Sequence, residues 1–178
     1  MCIEIEAKLK VDSLEEIERK LAELGAEFLA EKLQIDCFFD DVNSTLTKSD
    51  RCLRLRKQMV GKNESFFLTY KGAKEKSNFK RRQEIEFEIK DTDSVRKLLS
   101  SLGYEQSLVV EKKRRIWQLC DCEVALDRLP LLGDFVEIEG PDEEKITTAQ
   151  KKLGLSDLSH ITESYASLVA KKKIINRK

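Results

Sequence analysis

The residues best suited to chemistry lie on short alternating segments. Near the N-terminus, Glu4, Glu6 and Lys8 interleave with Ile3, Ile5, Ala7 and Leu9. Alternate side chains of an extended strand point to opposite faces, so this spacing sets two carboxylates and an ammonium against a wholly apolar face. The pattern returns with Arg82, Glu84, Glu86 and Glu88 opposite Ile85, Phe87 and Ile89, and again with Glu137 and Glu139 opposite Val136 and Ile138. Cations obey the same rule: Arg54 with Arg56, Lys71 with Thr69, and Lys112 with Arg114 each share a face. So many carboxylates confined without counter-ions would not stay ionised, and clustered Arg and Lys would be equally costly alone. Glutamate oxygens suit Mg²⁺ or Mn²⁺, and the arginine fork matches phosphate oxygens, so the two sets together suit a polyanion bound with divalent metal. Taken one pair at a time, the same residues also fit ordinary cross-strand ion pairs worth roughly 0.2–1 kcal/mol each. No glycine-rich phosphate loop accompanies them: Gly72 follows a lysine, but nothing resembles Gly-x-x-x-x-Gly-Lys.

Such side chains need walls to hold them. Each acidic strand is followed by a helix start, an apolar stripe and a glycine stop. The first unit has Asp12 or Ser13 as cap, Leu14, Ile17, Leu21 and Leu24 as stripe, and Gly25 as stop. The second has Asp93 or Ser94, then Val95, Leu98, Leu99 and Leu102, then Gly103; the third has Asp142, then Ile146, Ala149 and Leu153, then Gly154. Between them, residues 33–39, 52–58, 65–71, 108–119 and 123–127 read as further strands separated by turn-formers. Cys120-Asp121-Cys122 fits a tight turn better than a soft-metal site. A last helix starts near residue 162 and carries Tyr165, Leu168 and Val169, ahead of a solvated basic stretch, Lys171 to Lys173. The count is eight strands, at hairpin spacing. They predict an antiparallel α+β barrel or sandwich with helices outside. In a sandwich the charged faces would meet water; in a barrel covered by helices they line the interior.

Composition narrows the classes. The chain has 178 residues, and its 33 Lys+Arg balance its 33 Asp+Glu, which argues against a nucleic-acid or anionic-membrane partner. The charged fraction of 37% is well above the usual quarter or so. No signal-peptide pattern or membrane-length apolar run is present, so a cytoplasmic location is expected. The five cysteines lack Cys-x-x-Cys spacing and read as reduced, and the single histidine, His160, has no nucleophile motif around it.

Glu4-Ile5-Glu6-Ala7-Lys8 resembles the Glu-x-Glu-x-Lys signature of CYTH domains, or triphosphate tunnel metalloenzymes. The likeness continues in order through Gln34 to Asp40, Leu53-Arg54-Leu55-Arg56, Leu68 to Gly72, Arg82 to Glu86, Lys112 to Arg115, Leu126 to Leu129, and Gly133 to Glu139. It spans residues 3–140, followed by C-terminal helices over 142–172, within one domain of 1–178. The resemblance implies an eight-stranded antiparallel closed β-barrel with helices on its exterior. It implies that Glu4, Glu6, Glu84, Glu86, Glu137 and Glu139 surround one or two Mg²⁺ or Mn²⁺ ions. It further implies that Lys8, Arg54, Arg56, Lys71, Arg82, Lys112 and Arg114 hold a triphosphate, with Asp127 also in the catalytic set. A slip of one residue would exchange Lys112 and Arg114 for Lys113 and Arg115; the position of Trp117 favours the first register. The motif wording is most similar to class IV adenylyl cyclases, which convert ATP to cyclic AMP and pyrophosphate. Hydrolysis of thiamine triphosphate or inorganic tripolyphosphate is the alternative, and a binding module without turnover a third reading. The resemblance also implies a homodimer. Residues 72–80 fit a mouth loop or lid, and Glu4→Gln and Glu6→Gln are expected to abolish metal-dependent turnover at little cost in stability, since each relieves an interior negative charge.

Overall fold

A computed structural model describes residues 2–75 and 79–175; residues 76–78 of the expected lid lie outside them. The chain runs β1 (Cys2–Lys10), α1 (Leu14–Glu23), β2 (Glu27–Asp40), α2 (Thr45–Lys48), β3 (Cys52–Val60) and β4 (Asn63–Lys71). It continues through β5 (Lys80–Ile89), α3 (Thr92–Ser101), β6 (Glu105–Leu119), β7 (Cys122–Leu129), β8 (Gly133–Glu139), α4 (Glu143–Leu153) and α5 (Tyr165–Ile175). The eight strands close into an antiparallel barrel in the order β1-β5-β4-β3-β2-β6-β7-β8. Strands β2 and β6 are the longest, and register shifts at Phe28/Ala30 and Phe38/Phe39 bend them around the wall.

The core sits outside this barrel. Ala7 and Leu9 of β1, Val124 and Leu126 of β7, and Val136 and Ile138 of β8 pack under Leu14, Ile17 and Leu21 of α1 and Ile146, Ala149 and Leu153 of α4. Leu99 of α3 covers Cys37, Phe39 and Leu55 on β2 and β3. At the end of β8 the wall and α4 approach so closely that a Cβ on Gly140 would sit 2.8 Å from Cys122 Sγ and 2.9 Å from Ile146 Cγ1. One expected cover is missing: Ile85 and Phe87, on the outer face of β5, are 44% and 53% exposed.

The helix starts follow hydrogen-bond reach. Ser13 caps α1 by accepting from Glu16 N, and Asp142 caps α4 by accepting from Lys145 N. The second unit is capped by Asp91, which accepts from Ser94 N, rather than by Asp93 or Ser94, because Asp91 is the residue three positions ahead of an unpaired amide. Helix α2 was not expected; it hangs on Asp40, whose carboxylate accepts from the amides of Leu46 and Thr47 and from the Thr47 hydroxyl. Four residues are too short to show a period. Helix α5 begins at Tyr165, not near 162, where Ser164 Oγ accepts from Ser167 N at 3.1 Å. Cys120 and Asp121 turn between β6 and β7 with φ of 53° and 61°, the left-handed pair that a two-residue hairpin requires. Among the described residues no helix is long and apolar enough to cross a membrane.

Candidate active site inside the barrel

A cavity of about 1060 Å³ fills the barrel, and among the described residues ten Lys or Arg and nine Asp or Glu line it. The strand alternation accounts for this lining. Glu4, Glu6, Lys8, Arg54, Arg56, Lys71, Arg82, Glu84, Glu86, Lys112, Arg114, Glu137 and Glu139 all border the cavity. Glu88, on the same face of β5, is exposed and lies outside the lining. Lys113 is exposed and Arg115 pairs with Glu18 on α1, so β6 turns Lys112 and Arg114 inward. Trp117 packs outside on Phe28, ring centroids 5.1 Å apart.

Charge is only partly sorted along the barrel axis, because Arg82 lies directly across from Glu4 and Lys80 from Glu6. Antiparallel order gives one rim to the starts of β1, β2, β4 and β7 and the ends of β3, β5, β6 and β8. Glu86, Glu123 and Glu139 lie toward that rim, with Lys32 close to Glu86 and Glu123. The opposite rim holds the end of β1 with Lys8, the end of β4 with Lys71, and the start of β5 with Lys80 and Arg82. Helix α5 packs at this basic rim, where Ser164, Tyr165, Ala166, Ser167 and Ala170 complete the cavity wall.

Two buried aspartates anchor the cations. Asp36 accepts from Arg56 Nε and Nη2 at 2.6 and 2.8 Å and lies 3.7 Å from Arg54 Nη1. Burial opposes its ionisation, but Arg54 and Arg56 outweigh that and hold its carboxyl well below the usual carboxylate range. Asp127, fully buried, accepts from Lys112 Nζ at 3.1 Å, from Arg114 through two nitrogens, and from Tyr165 Oη at 2.9 Å. Its carboxyl is likewise held down by Arg114 and Lys112 against the effect of burial. Asp127, expected in the catalytic set, stands behind the cavity lining and fixes Lys112 and Arg114. Burial, with Arg114 beside it, pushes the Lys112 ammonium down to about 8. Lys8 pairs with Glu137 at 3.3 Å and lies 3.9 Å over the Tyr165 ring.

The carboxylates are mostly engaged by lysine and arginine. Lys71 Nζ lies 2.7 Å from Glu4 and 2.6 Å from Glu84, Lys80 pairs with Glu6, and Arg54 reaches Glu84 and Glu86. As placed, no three Asp, Glu, His or Cys side chains among the described residues converge to hold a metal ion. The donor chemistry nevertheless fits one. Glu6 and Glu139 are cross-strand partners, as are Glu139 and Glu123. Glu139 reaches water at the rim, yet the surrounding wall strips hydration from it, and Glu4, Glu6 and Glu123 add repulsion, lifting its carboxyl to about 7. Crowded oxygen donors short of positive charge match a hard divalent ion once lysine yields its place.

Arg82 differs from the other inward arginines. It is 6% exposed, borders the cavity, and makes no ion pair or hydrogen bond among the described residues; its Nε is buried without a partner. Lys80, which lies within the expected lid, is instead a buried lining residue at the first position of β5, and Phe79 before it is buried too. Lys80, Asp36, Glu123 and Tyr165 are the site residues that sequence reasoning passed over. Alternation with Arg82 and with Gln34 would have found Lys80 and Asp36. His160 bonds to Gln150 and packs on Phe79, away from any nucleophile motif.

The sequence profile of the CYTH domain matches residues 2–165. The chain belongs to the CYTH domain family. A Methanocaldococcus jannaschii protein provisionally named an adenylate cyclase is 34% identical over 137 residues, which cover 77% of this chain and 76% of that one. Among solved structures, a Pyrococcus horikoshii OT3 protein is 31% identical with a TM-score of 0.82, covering 95% of this chain and 99% of its own. A Hippeastrum protein described as an adenylyl cyclase candidate with dominant triphosphatase activity shares the fold at 17% identity and a TM-score of 0.72, over 94% and 95% of the two chains.

Proposed function

We propose that this CYTH protein is a divalent-metal-dependent adenylyl cyclase that converts ATP to cyclic AMP and pyrophosphate. The observation that carries the triphosphate part of the reading is Arg82, a buried guanidinium that makes no ion pair among the described residues, set among Lys80, Lys71 and Arg54 on the cavity wall. A buried cation left unpaired is costly unless an anion completes it. The name of the 34% identical Methanocaldococcus jannaschii protein supports the choice of reaction.

In this reading Arg54, Arg56, Arg82, Lys112 and Arg114 hold the phosphate chain, and Asp36 and Asp127 fix the guanidinium forks before the anion arrives. The ribose 3′-oxygen attacks the α-phosphorus, the bond to the β-phosphate bridging oxygen breaks, and pyrophosphate leaves with that electron pair. The hydroxyl proton passes to a carboxylate of the acidic rim. Arg and Lys neutralise charge developing on the phosphoryl oxygens. Glu4, Glu6, Glu84, Glu86, Glu137 and Glu139 are the residues that would hold Mg²⁺ or Mn²⁺, which when bound adds positive charge at the phosphates.

A second reading, hydrolysis of the terminal phosphate of a triphosphate, is favoured by a lining whose cations suit phosphate and whose carboxylates suit its metal, and by the Hippeastrum protein's described activity. One substrate panel decides. Purified protein with Mn²⁺ or Mg²⁺ should turn ATP into equimolar cyclic AMP and pyrophosphate. Orthophosphate from ATP, thiamine triphosphate or tripolyphosphate, with no cyclic AMP, overturns the cyclase.

A further inference from the structure

We infer that Lys80 is an internal counter-ion that latches the tunnel, occupying a metal-side carboxylate until metal and anion arrive together. This rests on the triphosphate reading and concerns how the same site loads. Lys80 and Glu6 are 7% and 5% exposed and pair with each other, and neither makes another ion pair among the described residues. Glu137 adds to the negative field on Lys80, so the two carboxylates hold the ammonium charged despite its burial. Lys80 also has Arg82 two residues along the same strand face, whose Nε is buried without a partner.

The consequence is a linkage between two ligands. A metal ion approaching Glu6 alone must displace Lys80 and leave it buried beside Arg82. An anion approaching Lys80 and Arg82 alone must draw Lys80 away and leave Glu6 buried beside Glu139, its cross-strand partner. Each ligand by itself strands one member of the pair. Bound together, the ion replaces Lys80 on Glu6 while the anion takes Lys80, and no buried charge is left uncompensated. Lys71 sits between Glu4 and Glu84 in the same way but has two carboxylates, so losing one still leaves it paired. Lys80 has a single ion-pair partner, with Glu137 acting on it only at longer range, and the latch is therefore sharpest there.

The test is calorimetry on wild type, Lys80→Met and Lys80→Arg with three titrants: Mn²⁺ alone, tripolyphosphate in EDTA, and preformed Mn²⁺–tripolyphosphate. Mn²⁺ alone should bind Lys80→Met about tenfold tighter than wild type, a shift within the usual range of site coupling, while metal-free tripolyphosphate should bind it more weakly. Lys80→Arg should behave as wild type, since the pair with Glu6 persists. Opposite signs for the two single ligands are the signature, because a merely damaged fold would weaken both. Unchanged Mn²⁺ affinity in a Lys80→Met protein that still takes the complex overturns the latch alone. A wild type that takes no Mn²⁺–tripolyphosphate overturns the triphosphate reading and the latch with it.

Discussion

Arg82→Met separates a residue kept for binding from one kept for folding. The guanidinium is 6% exposed, its Nε has no partner, and no carboxylate among the described residues pairs with it. An unsatisfied buried donor costs about 1–3 kcal/mol, and more when charged, so replacing it with an apolar side chain of similar length should leave the protein as stable as wild type or up to about 2 kcal/mol more stable. The same change removes a charge-assisted contact to phosphate worth about 1.5–3 kcal/mol, which is roughly a 10- to 150-fold loss in affinity. Urea unfolding gives the first quantity, and calorimetry with preformed Mn²⁺–tripolyphosphate the second. Stability and affinity should move in opposite directions. A variant destabilised by more than about 1 kcal/mol that still binds tripolyphosphate as wild type does would refute the assignment, because Arg82 would then be a structural ion-pair partner.

Three further outcomes follow from the pairing inside the barrel. Glu6→Gln strands Lys80 and should cost about 3–5 kcal/mol in urea unfolding, whereas Glu4→Gln leaves Lys71 paired with Glu84 at 2.6 Å and should cost about 1–2 kcal/mol; equal costs would contradict the pairing. Lys112, pushed down from 10.5 to about 8, makes the folded state bind fewer protons than the unfolded chain between those pH values, so its contribution to stability rises with pH across that window, by on the order of 3 kcal/mol. Denaturation at pH 8 and 10.5 should show that rise in wild type relative to Lys112→Met, and tripolyphosphate affinity should fall above pH 8 in wild type but not in Lys112→Arg. Tyr165→Phe removes a donor to the fully buried Asp127 while keeping the ring under Lys8, and should cost about 1.5–3 kcal/mol and loosen α5, read as faster amide exchange in that helix.

The legible part of this molecule is what a period of two can carry. Alternation told which side chains share a face, and because helices cover much of the outside, the charged faces had to line the inside. The caps followed from local hydrogen-bond reach, to within two residues at α3. Alternation does not tell which cation meets which carboxylate, because that depends on the shear of a closed barrel. Hence Glu6→Gln looked like simple relief of negative charge, when in the fold it orphans Lys80. Nor does alternation tell that Asp127 is enclosed by its neighbours across β6 and from α5 behind the cavity lining. Tyr165 read as one more apolar position of a helix, and its hydroxyl became meaningful only when α5 came to rest on the basic rim. Lys80 was hidden for a different reason: it stands directly after a polar run that reads as loop.

The near-balance of charge within the cavity constrains its occupant more than any single residue does. With ten basic and nine acidic side chains on the wall, a bare tripolyphosphate would leave the barrel strongly negative and a bare metal ion would leave it strongly positive. Neither is tolerable in a space partly shielded from water, where charge interactions exceed their bulk values several-fold. Under the proposed reading, an anion held near Lys80, Arg82 and Lys112 with a cation toward Glu123 and Glu139 would leave each beside opposite charge. The same reading predicts a direction: a triphosphate would lie with its phosphates toward the α5 end and its metal toward Glu123 and Glu139. Reversing the sign at one level alone, as Glu139→Lys would do, should therefore weaken binding of Mn²⁺–tripolyphosphate while strengthening that of metal-free tripolyphosphate, and a change of the same sign for both would show that the two levels are not electrostatically distinct.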